Sequence, residues 1–382
     1  MKLLVLSVTS GEGHNAMGKA VIEEFESRGH QAKMIDYLRP ASPVRSFFAQ
    51  DFYFFTLKHF PKISHKLYLN IVNRNIHEVP GKLSAFHYMT NGRKANNRII
   101  KEIKEYNPDV IYCTHVYTAS LISKFKKMGI VTCPTFFIVS DYTIHGYTEL
   151  ATNIDYLLTP NSDFNQLLME MGFKEKQLLP LGITVNAKFS NKLDRNQLCE
   201  KFSFKKDVLT IMLISGAVGF GKTFELVSKI NDLDGKLQLI VVNGKNERSF
   251  KKIEKFIKDK NITNIYNFGF VNNVDELMEL SDVMIGKIGG VGITEAFNKN
   301  LPIICSTVPP FQEYDNGIYL ERKNVIINAQ SIDKTIVALK NIINDESILS
   351  HMKDNIKEIA KPNATRDFVN FVEEMIKWWI SM

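Results

Sequence analysis

Cysteine is scarce in this chain. The four in 382 residues, Cys113, Cys133, Cys199 and Cys305, lie far apart and mostly inside apolar runs, which excludes a disulfide framework and a clustered metal site and predicts a reducing, cytoplasmic setting. Long apolar stretches are missing as well: no run approaches the roughly 20 residues that span a bilayer, so any membrane contact is expected to be peripheral. Met1-Lys2 leads directly into a strand-like segment, and no leader pattern is expected. There is no internal repeat and no low-complexity tract. What is present is an ordinary globular composition, 45% hydrophobic, long enough for about two domains with proper cores.

Charge is moderate at +7 but unevenly spread. Between residues 39 and 104 the cations Arg39, Arg45, Lys58, Lys62, Lys66, Arg74, Lys82, Arg93, Lys94, Arg98, Lys101 and Lys104 face only Asp51, Glu78 and Glu102. Phe47, Phe48, Phe52, Tyr53, Phe54, Phe55, Phe60 and Tyr68 are interleaved with them. Such a mixture suits an anionic membrane surface, where each cation contributes about 1 kcal/mol, and equally suits two helices whose rings pack on a core. Aromatics beside cations also suit single-stranded nucleic acid, but no nucleic-acid fold signature surrounds them, so no nucleic-acid partner is expected.

Strand-like runs alternate with helical spacing along the whole chain, which predicts an α/β fold with parallel, doubly wound sheets. The run Lys2–Val8 and the helix pattern Ala16–Arg28 bracket a loop that holds Gly13 and His14. His115 follows the run Val110–Cys113, and Asp141 and His145 follow Thr135–Val139. Residues at strand ends of this kind gather at a cleft, although a helix cap or a surface position would account for each of them singly.

In the second half, Leu209–Ser215 meets Gly216-Ala217-Val218-Gly219-Phe220-Gly221-Lys222-Thr223, which satisfies the Walker A pattern. A phosphate-loop NTPase needs a later strand ending in aspartate to hold magnesium. The later runs end instead at Asn243-Gly244, Gly286-Lys287, Ser306 and Asn328. Gly269-Phe270-Val271 follows another short run. The densest motif is Lys287-Ile288-Gly289-Gly290-Val291-Gly292, after which Ile293–Lys299 reads as a helix with Thr294 and Glu295 in its first turn. Glycines permit close backbone approach, and the first N–H groups of a helix are unpartnered, so such a junction holds phosphate. A carboxylate one turn in suits the paired hydroxyls of a sugar. Beyond the run Leu301–Cys305, Pro309-Pro310-Phe311-Gln312-Glu313-Tyr314-Asp315-Asn316 reads as a rigid turn followed by amide and carboxylate groups fit for a polyhydroxylated ligand.

The pattern Gly289-Gly290-x-Gly-x-Thr-Glu-Ala, then Leu-Pro, then Pro-x-Gln-Glu-x-x-Asn resembles the donor-sugar motif of the GT-B glycosyltransferases, and most closely the monogalactosyldiacylglycerol synthase and processive diacylglycerol glucosyltransferase family, relatives of the MurG transferase. Ile288 stands where that family has proline, and Glu12 replaces one glycine of its Gly-Gly-Gly-His loop. The resemblance implies two Rossmann-like domains facing across a cleft: residues 1–185 for the acceptor and membrane side, residues 186–364 for the nucleotide sugar, and a final helix, 365–382, packed back on the first. Trp378-Trp379 would anchor that helix there or at a membrane interface.

The resemblance further implies an inverting, metal-independent hexosyltransferase with no cofactor, which moves a hexose from a UDP-sugar to a lipid, expectedly diacylglycerol, at the cytoplasmic face of a membrane. It makes Gly216, Gly219, Phe270, Val271, Gly289, Gly290, Gly292, Ile293, Thr294, Glu295, Gln312, Glu313 and Asn316 donor-binding residues. Gly13, His115 and His145 fall on the acceptor side, with His14 or Asp141 as the base. A UDP-sugar epimerase of the same fold and a P-loop NTPase using Gly216–Thr223 are the competing readings.

Overall fold

The computed structural model describes residues 1–9, 12–37, 93–214, 222–233, 237–307 and 312–381. Gly216 and Gly219, the basic and aromatic segment as far as residue 92, and Pro309-Pro310-Phe311 lie outside the described residues, as do the side chains of 93–95 and 379–381. The chain forms two compact units, Met1–Ala187 with Pro310–Gln312 and Asn363–Met382, and Lys188–Pro309 with Glu313–Pro362.

The first unit contains a six-stranded parallel sheet in the order β2-β1-β3-β4-β5-β6, built from β1 (Lys2–Ser7), β2 (Gln31–Asp36), β3 (Val110–Cys113), β4 (Thr135–Ile138), β5 (Tyr156–Leu158) and β6 (Leu178–Leu179). The central strands are apolar on both faces, because helices cover both: β3 and β4 are buried at every position. Winding reverses once, between β1 and β3. Gly18 in the helix Glu12–Ser27 marks the tightest helix-to-sheet approach, since a Cβ there would stand 2.9 Å from Val5 Cγ1 and 3.0 Å from Met34 Sδ.

The final helix, Ala364–Ser381, completes this core. Phe368 is fully buried, its ring 5.0 Å from Tyr112 and 5.1 Å from Phe136, centroid to centroid. Thr365 Oγ1 donates to the Val185 carbonyl (2.7 Å) and accepts from the Val185 N–H (3.0 Å). At the other end, Arg28 Nη1 reaches Asn370 Oδ1 (2.7 Å) and Glu373 Oε2 (3.1 Å). Trp378 lies farther along and is 56% exposed.

The second unit repeats the plan in the order β12-β11-β10-β7-β8-β9, with β7 (Leu209–Ile214), β8 (Leu237–Val242), β9 (Ile265–Phe268), β10 (Val283–Gly286), β11 (Ile303–Cys305) and β12 (Ile326–Ile327), all parallel. Here the reversal falls between β7 and β10. Arg195 forks onto Asp282 (2.8 and 3.0 Å), whose Oδ2 also accepts from the Thr210 N–H (2.8 Å), which fixes the start of β7 against the turn before β10. Among the described residues no helix is long and apolar enough to cross a membrane. Burial pushes the Cys133 and Cys305 thiols up to about 11 and that of Cys113 to about 12, so these sulfurs are packing groups rather than nucleophiles.

Truncating Phe368 to alanine removes a ring from between two others, and the F368A chain is expected to lose about 3–5 kcal/mol in denaturant unfolding of the first unit, by near-UV dichroism. A loss under about 1 kcal/mol would mean that the last helix is not part of that core.

Candidate active site

In open parallel sheets, ligands bind outside the carboxyl ends of the strands where the winding reverses, because adjacent connections leave the edge there in opposite directions. Both units place their chemically distinctive residues at that point.

In the first unit the residues come from the ends of β1, β3 and β4. Hydrogen bonds hold the start of the helix Glu12–Ser27 to the strand ends: Ser7 Oγ donates to Asn15 Oδ1 (2.7 Å), Asn15 Nδ2 donates to Thr9 Oγ1 (3.0 Å), and Thr9 Oγ1 donates to Asp36. His14, one position earlier, is thereby aimed across to β3, where its Nδ1 lies 2.6 Å from the Thr114 carbonyl oxygen. Its ring meets that of His115 edge to face, centroids 4.6 Å apart. His115 caps the helix Val116–Lys127, its Nδ1 accepting from the Tyr117 N–H at 3.1 Å. His145, after β4, caps the short helical turn Gly146–Ala151 in the same way, accepting from the Tyr147 N–H at 3.0 Å. Asp141 accepts from Ser140 Oγ at 3.0 Å.

These bonds settle the tautomers. A carbonyl oxygen only accepts, so His14 carries its proton on Nδ1 and presents the lone pair of Nε2. An amide N–H only donates, so neutral His115 and His145 carry theirs on Nε2 and present donors. One base therefore stands beside two donors. Packing keeps all three neutral at physiological pH. Burial lowers His14, opposed by the Thr114 bond and the Asp141 charge. Burial also sets His115 well below the ordinary imidazole range, helped by the neighbouring His14 and His145. Burial pushes His145 down to about 4, against the pull of Asp141. Gly13, next to His14 in the first helical turn, is half-buried.

In the second unit the helix after β10 begins at Gly290, three residues earlier than the hydrophobic spacing predicts. Gly290 and Gly292 thus belong to its first turn, with Gly289 as a cap that makes no side-chain bond. The N–H groups of that turn point out of the helix end with no Cβ beside them at Gly292, where an added Cβ would meet nothing within 4 Å. The motif is held from behind. Ile288 is fully buried in the place where the resembling family has proline, and its carbonyl accepts from Asn316 Nδ2 at 3.1 Å. Gly317 lets the helix Gln312–Arg322 come this close, since a Cβ there would stand 2.9 Å from Ile288 Cδ1.

Of the predicted donor residues, Ile293, Thr294 and Asn316 turn inward: Ile293 and Asn316 are fully buried, and Thr294 Oγ1 donates to the Gly290 carbonyl at 2.8 Å. Their side chains shape the turn. Gln312 and Glu313 open the helix Gln312–Arg322. Glu313 Oε1 lies 4.0 Å from Lys287 Nζ and about as close to Gly289 as an ordinary van der Waals contact, 3.4 Å from an ideal Cβ. Glu295 stays half-exposed, and loss of hydration lifts its carboxyl to about 7, with Lys188 opposing and Asp275 adding to the rise. At the ends of β8 and β9, a cavity of about 300 Å³ is lined by Gly244, Lys245, Glu247, Phe250, Gly269 and Phe270. Phe270 is 66% exposed, and Val271 is half-buried. Among the described residues no three His, Cys, Asp or Glu side chains converge as metal ligands do.

Sequence reasoning misses Thr114 and Asn15, which orient His14 and its helix, and Lys188, whose charge acts on Glu295. Thr114 directly precedes His115, and Lys188 lies in the polar stretch that reads as a linker; neither carries a spacing signal of its own.

Two doubly wound units with residues of this kind at both reversal points define a GT-B glycosyltransferase, an enzyme. The first unit matches the family described as Monogalactosyldiacylglycerol (MGDG) synthase over residues 14–185, and the second matches the Glycosyltransferase family 28 C-terminal domain over residues 210–375. In these two successive parts the chain resembles the monogalactosyldiacylglycerol synthase and processive diacylglycerol glucosyltransferase family. A processive diacylglycerol beta-glucosyltransferase of Bacillus pumilus (strain SAFR-032) is 25% identical over 377 residues, which cover 98% of this chain and 94% of that one. Among solved structures, Acinetobacter baumannii MurG superimposes with a TM-score of 0.63 at 13% identity, over 98% of this chain and 99% of its own. The UDP-GlcNAc 2-epimerase of Neisseria meningitidis, bound to UDP-GlcNAc, does so with 0.62 at 13% identity, over 98% and 100%.

The His145 shift has a measurable consequence. Its folded pKa lies below the unfolded value, so the neutral ring stabilises the first unit above about pH 6.5, and that contribution is lost as pH falls toward about 4. His145→Asn keeps a cap acceptor and removes the titration, and is expected to reduce the loss of stability between those pH values by about 2–3 kcal/mol in denaturant titrations.

Proposed function

We propose that this enzyme transfers a hexosyl group from a UDP-sugar to the hydroxyl of a membrane lipid, diacylglycerol, with inversion at the anomeric carbon. The observation that carries the reading is the His14 tautomer that the Thr114 carbonyl sets, since a lone pair on Nε2 supports His14 over Asp141 as the base. The acceptor oxygen attacks the anomeric carbon and passes its proton to His14 Nε2. The bond from that carbon to the diphosphate breaks, and UDP departs with the electron pair. A single displacement inverts the centre. Asp141 favours the imidazolium that forms, as its charge already does in the resting protein.

The departing charge meets the N–H groups and positive dipole end of the helix beginning at Gly290, so no metal or other cofactor is assigned to the step. Glu295 accepts from the ribose hydroxyls, Phe270 and Val271 border the base, and Glu313 lies on the sugar side. Gly216, Gly219 and Gln312 keep their donor-side assignment in this reading. His115 and His145 donate to the acceptor oxygen or to the sugar. The name of the Bacillus pumilus relative supports the acceptor and a glucosyl group, and the nucleotide in the Neisseria structure supports a UDP-linked donor. The work is done peripherally, at the cytoplasmic face of an anionic membrane, which meets the basic and aromatic region of the first unit.

Incubating the chain with labelled UDP-glucose, UDP-galactose and UDP-N-acetylglucosamine, with and without diacylglycerol vesicles, is expected to give a labelled glycolipid from a hexose donor. An isomerised UDP-sugar formed without lipid would instead support an epimerase, and no product from any donor would overturn the transferase reading. H14A is expected to lower turnover by about 10²–10⁴-fold with UDP affinity nearly unchanged. G292A, whose added methyl meets no atom within 4 Å beyond its own helix backbone and chain neighbours, is expected to fold like wild type and to bind UDP at least about tenfold more weakly by calorimetry, because in this reading the methyl crowds a phosphate at the helix start.

A further inference from the structure

At the ends of β8 and β9, two side-chain amides join the three stretches of backbone that surround the cavity between Gly244 and Phe270. Asn243, fully buried, donates from Nδ2 to the Phe268 carbonyl (3.0 Å) and to Asn267 Oδ1 (2.7 Å). Asn267 donates in turn from its Nδ2 to the Phe250 carbonyl (3.1 Å) and to Glu254 Oε1 (2.7 Å). Main-chain bonds run alongside: the Asn243 N–H reaches the Phe268 carbonyl at 2.9 Å, and the Gly244 N–H reaches the Gly269 carbonyl at 3.2 Å. Carbonyl oxygens only accept, so both amides have a single orientation, with Asn267 Oδ1 turned to Asn243. The loop after β8, the loop after β9 and the first turn of the helix Glu247–Lys260 are thereby fastened to one another. Stability does not account for the first amide. Asn243 Oδ1 is buried and accepts no hydrogen bond among the described residues, and an orphaned acceptor offsets what the donor bonds contribute. What the two amides fix is the place of the Gly269-Phe270 loop relative to Gly244 and Phe250, which face it across the cavity.

We propose that Asn243, acting through Asn267, is a positioning residue for the base of the donor nucleotide: it holds the Gly269-Phe270 loop where that loop borders the uracil ring. This rests on the reading of the second unit as the donor site. Phe270 is 66% exposed, so packing of its own ring does not hold the loop, and hydrogen bonds from behind set its place. Without the Asn243 amide, Asn267 Oδ1 loses its donor and the loop after β9 keeps only main-chain bonds to its neighbour. A shift of a fraction of an ångström then separates a fitted base from a loose one. Diphosphate and ribose, held in this reading at the helix beginning at Gly290, would not register that shift.

The test measures, by calorimetry on the full chain, the affinities for UDP and for ribose 5-diphosphate, which lacks only the base, so that their ratio isolates what the base contributes. In the wild type, UDP is expected to bind the tighter. N243L, which keeps the bulk of the side chain and removes its donors, is expected to lower that preference by about tenfold while ribose 5-diphosphate binds as before. N267L, on the half-buried edge strand, breaks the same link from its other end and carries the test should N243L not fold. The double variant N243L/N267L is expected to lose no more than either single one, because the two amides act as a unit. A wild-type ratio in the variants, equal loss of both ligands, losses that add in the double variant, or failure of both single variants to fold would overturn the assignment. A wild-type chain that binds UDP no tighter than ribose 5-diphosphate would remove the base from this cavity and overturn the inference alone. One that binds neither ligand would overturn the donor-site reading itself and this inference with it.

Discussion

Everything chemical in this molecule follows from one constraint on parallel sheets. Each crossover is right-handed, so a chain that lays strands outward from the first and then returns to lay them on its other side must open a gap at one strand boundary. In the first unit the boundary is β1/β3, in the second β7/β10. Loops that leave those strands diverge, and the space between them receives whatever side chains stand first after the strand end. His14 and His115 are such residues in one unit, with Asp141 after the neighbouring strand β4, and Gly289 to Gly292 are in the other. The histidines and the glycines differ in chemistry but occupy equivalent places in two copies of one plan.

The two sites work by different physics. The first depends on side-chain hydrogen bonds that impose tautomers on half-buried imidazoles. Three histidines with ordinary pKa values would offer a mixture of donors and acceptors, whereas Thr114 and the two cap amides leave one acceptor and two donors. The second depends on the backbone, with glycine keeping Cβ atoms away from a helix end and Asn316 and Gly317 holding that end from beneath. A carbonyl bonded to a buried amide cannot swing toward a ligand, so the motif is rigid before anything binds.

Much of this was legible in the sequence, and what was not has a clear cause. Strand runs such as Lys2–Val8 and Leu237–Val242 are continuous and apolar because both sheet faces are covered, so they stand out without alternation. The family likeness led to His14, Asp141 and Glu295 together. The helix start was misplaced at Ile293 because glycine carries no periodic signal, and the structure moves it to Gly290. The inward direction of Ile293, Thr294 and Asn316 was hidden for a related reason: a loop motif mixes exposed with buried positions, and only the fold separates them. The His14 tautomer depends on a partner about 100 residues away in the chain, Thr114, and no local pattern encodes it.

The route of the backbone carries a further consequence for how the molecule is made. Phe368 fills the space between Tyr112 and Phe136, and Thr365 seals the Val185 backbone, so the unit begun first is finished last. On the ribosome the amino-terminal sheet must wait, with part of its apolar interior uncovered, while the whole carboxyl-terminal unit emerges and can close around its own core. Termination or cleavage a few residues after 362 would therefore leave the later-synthesised half intact and the earlier one open, a substrate for chaperones and proteases.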